Sequence, residues 1–131
     1  MVVGGSGFIG YHLIKRLIEL KFITHSISTK KPKKIREIKK VKYIICDISR
    51  KSQLTKKIKT PYDYVVNLGG HVNHTDKRQT YNSHYLGCKN IAQTLLKKNI
   101  KIKKFVQIGS SIEYGKIKSP QKELTKIKQN Q

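Results

Sequence analysis

The sequence predicts an α/β fold: a doubly wound parallel sheet between helices, in three α/β/α layers. Three observations carry this. Short β-rich runs alternate with helical patterns along most of the chain, and a glycine-rich turn joins the first strand to the first helix. The 131 residues suffice for one hydrophobic core and leave no room for a second domain.

Strands are expected at residues 1–3, 23–28, 42–46, 64–68 and 104–108. Between the first two, Ile9, Leu13, Ile14, Leu17 and Ile18 recur at helical spacing as one apolar face, opposite His12, Lys15, Arg16 and Glu19. A weaker helical pattern covers residues 50–58. A second clear helix is expected after Asn82, with Ile91, Ala92, Leu95 and Leu96 inward and Lys89, Gln93, Lys97 and Lys98 outward. The first strand has only three residues before Gly4, where central parallel strands usually run to five or six, so a natural beginning upstream of Met1 is expected. Residues 116–131 read as a polar, lysine- and glutamine-rich tail.

The formal net charge is +22. Lysines occur in nearly every segment rather than in one stripe with interleaved aromatics, and arginine, the better fork for phosphates and base edges, is scarce. This favours a solvated lysine-rich surface over a specific nucleic-acid interface, with weak salt-sensitive sticking to polyanions. No run of eighteen apolar residues occurs, so no membrane span is expected, and the N-terminus lacks the order of a signal peptide; a cytoplasmic location is the expectation. Cys46 and Cys88 lack metal-site spacing and read as free thiols. His71 and His74 have H-x-x-H spacing in a loop with no evident third ligand, so no metal site is assigned.

Gly4, Gly7 and Gly10 leave the first strand and open the first helix. Their tasks are a tight turn, room for backbone to approach a pyrophosphate, and close helix-to-sheet packing. The helix then offers unpaired N–H groups and its positive dipole end to an anion. A dinucleotide ligand follows from that context; a purely structural turn is the alternative.

With its GxxGxxG spacing the chain resembles the NAD-dependent epimerase/dehydratase branch of the extended short-chain dehydrogenases. Further matches arrive in the family's order: Cys46-Asp47-Ile48 after the third strand, Tyr64 to Gly70, Asn82 with Gly87 before a helix, and Phe105 to Gly115. The resemblance implies a Rossmann-type domain over residues 1–115 with strand order 3-2-1-4-5. It also implies that the chain is the front part of a longer protein whose substrate domain is absent. It places Phe8 and Ile9 beside the cofactor pyrophosphate, Asp47 and Ile48 at the adenine, Leu68, Gly69 and Gly70 along the cofactor's middle, and Asn82 approaching from the next helix. Asp47 and Asn82 could each be plain helix caps instead.

NAD-preferring members usually end the second strand with a carboxylate for the ribose hydroxyls. Here Ser28 stands there, followed by Thr29, Lys30 and Lys31, which tilts the NAD(P) expectation towards NADP. The resemblance also assigns Ser110 as the catalytic hydroxyl, with Ser111 in reserve. Family dehydratases carry an Asp-Glu pair just after that hydroxyl; Ser111 and Ile112 stand there, so dehydration is disfavoured. Three Tyr-x-x-x-Lys matches (Tyr11/Lys15, Tyr85/Lys89, Tyr114/Lys118) lie in the wrong elements for the family's proton-transfer pair. The expectation is the cofactor-binding part of a nucleotide-sugar 4-epimerase or 4-keto-sugar reductase, a possible homodimer, inactive on its own. A non-catalytic NAD(P)-binding module and a basic nucleic-acid binder are the rival readings.

Overall fold

The computed structural model describes residues 1–71 and 75–109. Five short strands, β1 (Val2–Val3), β2 (His25–Ser28), β3 (Lys42–Ile45), β4 (Tyr64–Asn67) and β5 (Lys104–Gln107), form one sheet in the order β3-β2-β1-β4-β5. Every pairing is parallel: Val3 sits opposite Ile27 on one side and Asn67 on the other. β1 is only two residues long, yet it is paired on both edges and carries the centre of the sheet.

Alternation along the strands sorts side chains between two faces. Val3, Ile27, Ile44 and Val65 face the main core, which helix α2 (Lys51–Lys57) and the later helix α4 (Gly87–Lys97) close with Leu54, Ile91 and Leu95, and to which Ile58, just past α2, adds. Leu54, Ile58 and Ile91 are fully buried, and each contributes on the order of 1.5–3 kcal/mol by leaving water. Val2 and Ser26 face the opposite side, where α1 (Phe8–Glu19) docks through Ile14 and Gly10.

Some expected details are corrected. β2 begins at His25, not 23: Ile23 is 94 % exposed in the turn before the strand. The second clear helix begins well before Asn82. Asp76 accepts the Gln79 N–H at 2.9 Å and caps α3 (Lys77–Thr80), which runs through a π-helical stretch (Tyr81–Leu86) straight into α4. On α4 the inward positions are Gly87, Asn90, Ile91, Thr94 and Leu95, while Leu96 is 76 % exposed. The buried stripe is therefore partly polar, which an apolar-periodicity reading cannot register.

Candidate functional site

Because all five strands run the same way, the loops leaving β1, β2, β3 and β4 at their carboxyl ends converge on one cleft of about 1020 Å³. Open parallel sheets bind ligands at this end.

The cleft's inner wall is the glycine turn. Gly4 has φ +77°, in the left-handed region, and its carbonyl accepts the Gly7 N–H at 3.0 Å to close the turn. At Gly10 a Cβ would strike the Gly4 carbonyl oxygen and lie 2.6 Å from Gly5 Cα, so only glycine lets α1 start this close to the strand exit. Gly5, which spacing did not single out, packs closest against β2 and α1: a Cβ there would collide with Ser26 Oγ and Ile14. Gly7 is the exposed N-cap residue of α1; no side chain caps the helix, and its first turn holds no acidic residue. The first-turn N–H groups of Phe8 and Ile9, with the positive dipole end, are thus left for an anion from the cleft. A pyrophosphate fits this cradle, whose shape a Cβ at Gly10 would break by striking the Gly4–Gly5 backbone.

Thirteen of the fourteen cofactor-contact positions expected from sequence line this cleft: Gly4, Gly7, Phe8, Ile9, Gly10, Ser28, Thr29, Asp47, Ile48, Leu68, Gly69, Gly70 and Asn82. The fourteenth, Lys30, is exposed and stands outside the lining. Ser110, Ser111, the Tyr114/Lys118 pair, the tail and His74 lie outside the described residues.

Local bonding explains how several of these are held. Asp47 Oδ1 accepts the N–H and O–H of Ser49, at 2.9 and 2.7 Å, and Oδ2 lies 3.7 Å from Arg50 Nε. The carboxylate therefore shapes the turn into α2 as well as lining the cleft. Ile48 is buried, and its side chain packs against the Gly87 backbone, where a Cβ would lie 2.5 Å from Cδ1. Buried Asn90 anchors the same turn, donating from Nδ2 to the carbonyls of Ile48 (2.9 Å) and Ser49 (2.8 Å). At the exit of β4, fully buried Asn67 accepts the Gly69 N–H at 3.0 Å and donates to Gln107 Oε1 at 2.7 Å. His84 Nε2 accepts the His71 N–H at 3.0 Å, holding the end of the Gly69–Gly70 segment. Burial and the neighbouring Asp47 charge push the Cys46 thiol up, which keeps it protonated beside the cleft.

Sequence reasoning did not assign Ser6, Ser49, Arg50, Asp76, Arg78, Gln79 or Ser83 to the cleft, nor Val3, Ile27, Cys46, His71 and Ile108 in the strands and their exits. Of these only Asp76, three residues before Gln79 at a helix start, carried a readable capping signal. A smaller cavity of about 420 Å³ lies between the π-helical stretch and β5, lined by His84, Tyr85, Cys88, Lys89, Gln107, Ile108 and Gly109. Among the described residues no cluster of His, Cys, Asp and Glu could hold a metal ion, and no helix is long and apolar enough to cross a membrane.

Compared with known families, the chain matches the NAD dependent epimerase/dehydratase family over residues 1–131. The chain belongs to this family. Solved structures similar to this epimerase/dehydratase chain include a UDP-galactose 4-epimerase, at TM-score 0.81 and 22 % identity, covering 97 % of this chain and 43 % of that one. A UDP-glucose 4-epimerase from Thermus thermophilus in complex with NAD gives TM-score 0.80 and 20 % identity, covering 97 % and 43 %. Pal from Bacillus thuringiensis gives TM-score 0.78 and 25 % identity, covering 97 % and 44 %. The likeness to the two epimerases is one of fold, and this family member spans about two-fifths of the length of the structures it matches. No curated protein sequence matches it.

Proposed function

We propose that this chain is the cofactor-binding part of a nucleotide-sugar 4-epimerase or 4-keto-sugar reductase, inactive on its own. The observation that carries the reading is the uncapped, acid-free start of α1 behind a turn in which Gly5 and Gly10 have no room for a Cβ, opening on the strand-end cleft. The sugar assignment draws support from the UDP-hexose 4-epimerases among the similar structures.

The bound nicotinamide dinucleotide supplies hydride transfer. This chain's residues bind and orient it. The N–H groups of Phe8 and Ile9 hold the pyrophosphate, Asp47 and Ile48 flank the adenine, and Leu68, Gly69, Gly70 and Asn82 line the middle of the cofactor. Ser28, Thr29 and Lys30 favour NADP(H) over NAD(H), because hydroxyls and an ammonium accept a 2′-phosphate that a carboxylate would repel. Ser110 gives the hydroxyl that hydrogen-bonds the reacting sugar oxygen, while the tyrosine and lysine that would complete proton transfer are not supplied by this chain. In this reading the protein acts in the cytoplasm and pairs as a homodimer.

Calorimetric titration of the 131-residue chain with NADP⁺ and NAD⁺, followed by an assay with UDP-hexose, tests this. Saturable dinucleotide binding without turnover is expected. Failure to bind either dinucleotide overturns the cofactor reading, and turnover by this polypeptide alone overturns the inactivity.

A further inference from the structure

His84 stands half-buried in the π-helical stretch between α3 and α4, facing the exit of β4. Widened helical turns of this kind recur at functional sites. Its Nε2 straddles the two backbone groups of one residue, with the His71 nitrogen 3.0 Å away and the His71 carbonyl oxygen 3.3 Å away. The ring lies against Gly70, where a Cβ would sit 2.6 Å from Cε1 and 3.1 Å from Nε2. The imidazole thus fills the side-chain space of a residue that lines the cleft, and a shift of the ring passes directly to the Gly69–Gly70 backbone.

One nitrogen cannot serve both groups of His71 in the same state. Without a proton, the Nε2 lone pair accepts the His71 N–H, the shorter of the two contacts. With a proton there, N–H faces N–H, that bond is lost, and the ring turns towards the carbonyl oxygen. The titratable groups around the ring are His71 after β4 and, sharing its cavity from the same helix, Tyr85, Cys88 and Lys89. From β5 and its exit the cavity receives only the uncharged Gln107, Ile108 and Gly109, while Asp76 and Arg78 line the adjoining cleft.

We propose that His84 is a positioning residue of the dinucleotide site: its unprotonated ring holds the exit of β4 in the shape that receives the cofactor, and protonation releases that segment. Dinucleotide affinity therefore falls as the solution turns acid, and binding in acid expels a proton. This rests on the dinucleotide reading above and adds to it a proton linkage carried by one side chain that touches backbone alone.

Calorimetric titration of the 131-residue chain and its His84→Gln, His84→Ala and His71→Gln variants with NAD⁺ between pH 8 and 5.5 tests it, with circular dichroism at each pH confirming the fold. NAD⁺ is the probe because the 2′-phosphate of NADP⁺ itself titrates in this range. The wild-type chain is expected to lose affinity at least ~3-fold across the range, about the weight of one hydrogen bond, and at pH 5.5 to release a proton seen as buffer-dependent heat. His84→Gln, which keeps an acceptor and cannot titrate, stays within about threefold of the wild type at pH 8 and loses both the slope and the proton release. His71→Gln keeps both, because the backbone of residue 71 makes the contact. His84→Ala binds weakly at every pH; should it fail to fold, His84→Gln still decides the matter. A flat wild-type profile, a slope that persists in His84→Gln, or a slope that vanishes in His71→Gln overturns the assignment while leaving the dinucleotide site standing. Absence of dinucleotide binding at any pH overturns both.

Discussion

Ser28 Oγ accepts the Ser6 backbone N–H across 3.1 Å and so fastens the end of β2 to the glycine turn. Ser28→Asp keeps an acceptor for that N–H while placing a negative charge at the ribose end. NADP⁺ affinity is expected to fall by more than ~10-fold relative to NAD⁺, because the carboxylate repels a 2′-phosphate and accepts from ribose hydroxyls. Paired calorimetric titrations check this; an unchanged affinity ratio would place Ser28 away from the ribose.

Gly10→Ala is expected to be the most damaging single methyl addition in the turn. Its Cβ meets the Gly4 carbonyl and the Gly5 backbone, which are held by the turn itself and have no flexible end to swing aside. Overpacking of this kind costs about 1–3 kcal/mol, and dinucleotide binding should vanish with the displaced helix start. Gly7→Ala meets only the Gly4 carbonyl oxygen at 3.2 Å and should lose much less. Thermal unfolding and titration of both variants settle the ranking; equal damage would show that the helix start yields as a whole.

Asn90 is buried on α4 and satisfies two carbonyls of the β3–α2 turn. Asn90→Leu leaves both carbonyls without that donor, and a loss of about 2–4 kcal/mol is expected from one buried and one part-buried bond left unmade. The same turn carries Asp47 and Ile48 to the cleft, so dinucleotide affinity should drop in the variant even below its unfolding temperature. Chemical denaturation and titration at low temperature separate the two effects; a stability loss with unaltered affinity would mean that the turn holds its shape without Asn90.

Acid should destabilise the chain in two steps. The Met1 amine donates to the Tyr64 carbonyl at 2.8 Å, and burial lowers its pKa from 8.0 to about 6, against a smaller upward pull from Asp63. His25, bonded to the Tyr62 hydroxyl at 2.9 Å, is likewise lowered by burial, then by Lys42 and the N-terminal charge. Both groups bind a proton less readily folded than unfolded, so protonation favours the unfolded chain. Stability present above pH 8 is therefore lost as pH falls from 8 to about 6 through the amine, and further below 6.5 through His25. Melting temperatures across pH 5–9 check this, and N-terminal acetylation should remove the upper step; a flat profile between pH 8 and 6 would contradict the amine's part.

The glycine turn and the run of strands were legible in the chain because each rests on a local constraint, whereas the strand order and most of the thirteen expected cleft-lining positions followed from the family resemblance. Gly4 is needed for its backbone angle and the β-rich runs for their alternation, while Asp47 came from the Cys46-Asp47-Ile48 match to the family. A parallel sheet then brings the strand exits together without further information, since every crossover returns the chain to the same edge. Periodicity failed on α4, where Asn90 and Thr94 are buried and Leu96 is exposed, because a polar side chain goes inside whenever a carbonyl or hydroxyl waits there. It also failed at the beginning of the long helix, where the Asp76 cap outweighed the weak apolar pattern ahead of Asn82. Arg36 above Phe8, Asn90 beneath the Ile48–Ser49 turn and His84 against His71 are contacts between residues 13 to 42 positions apart. Short-range patterns in the chain could supply the cradle for a diphosphate. Which side chains brace that cradle depended on where packing brought distant segments together, because such contacts have no sequence period to announce them.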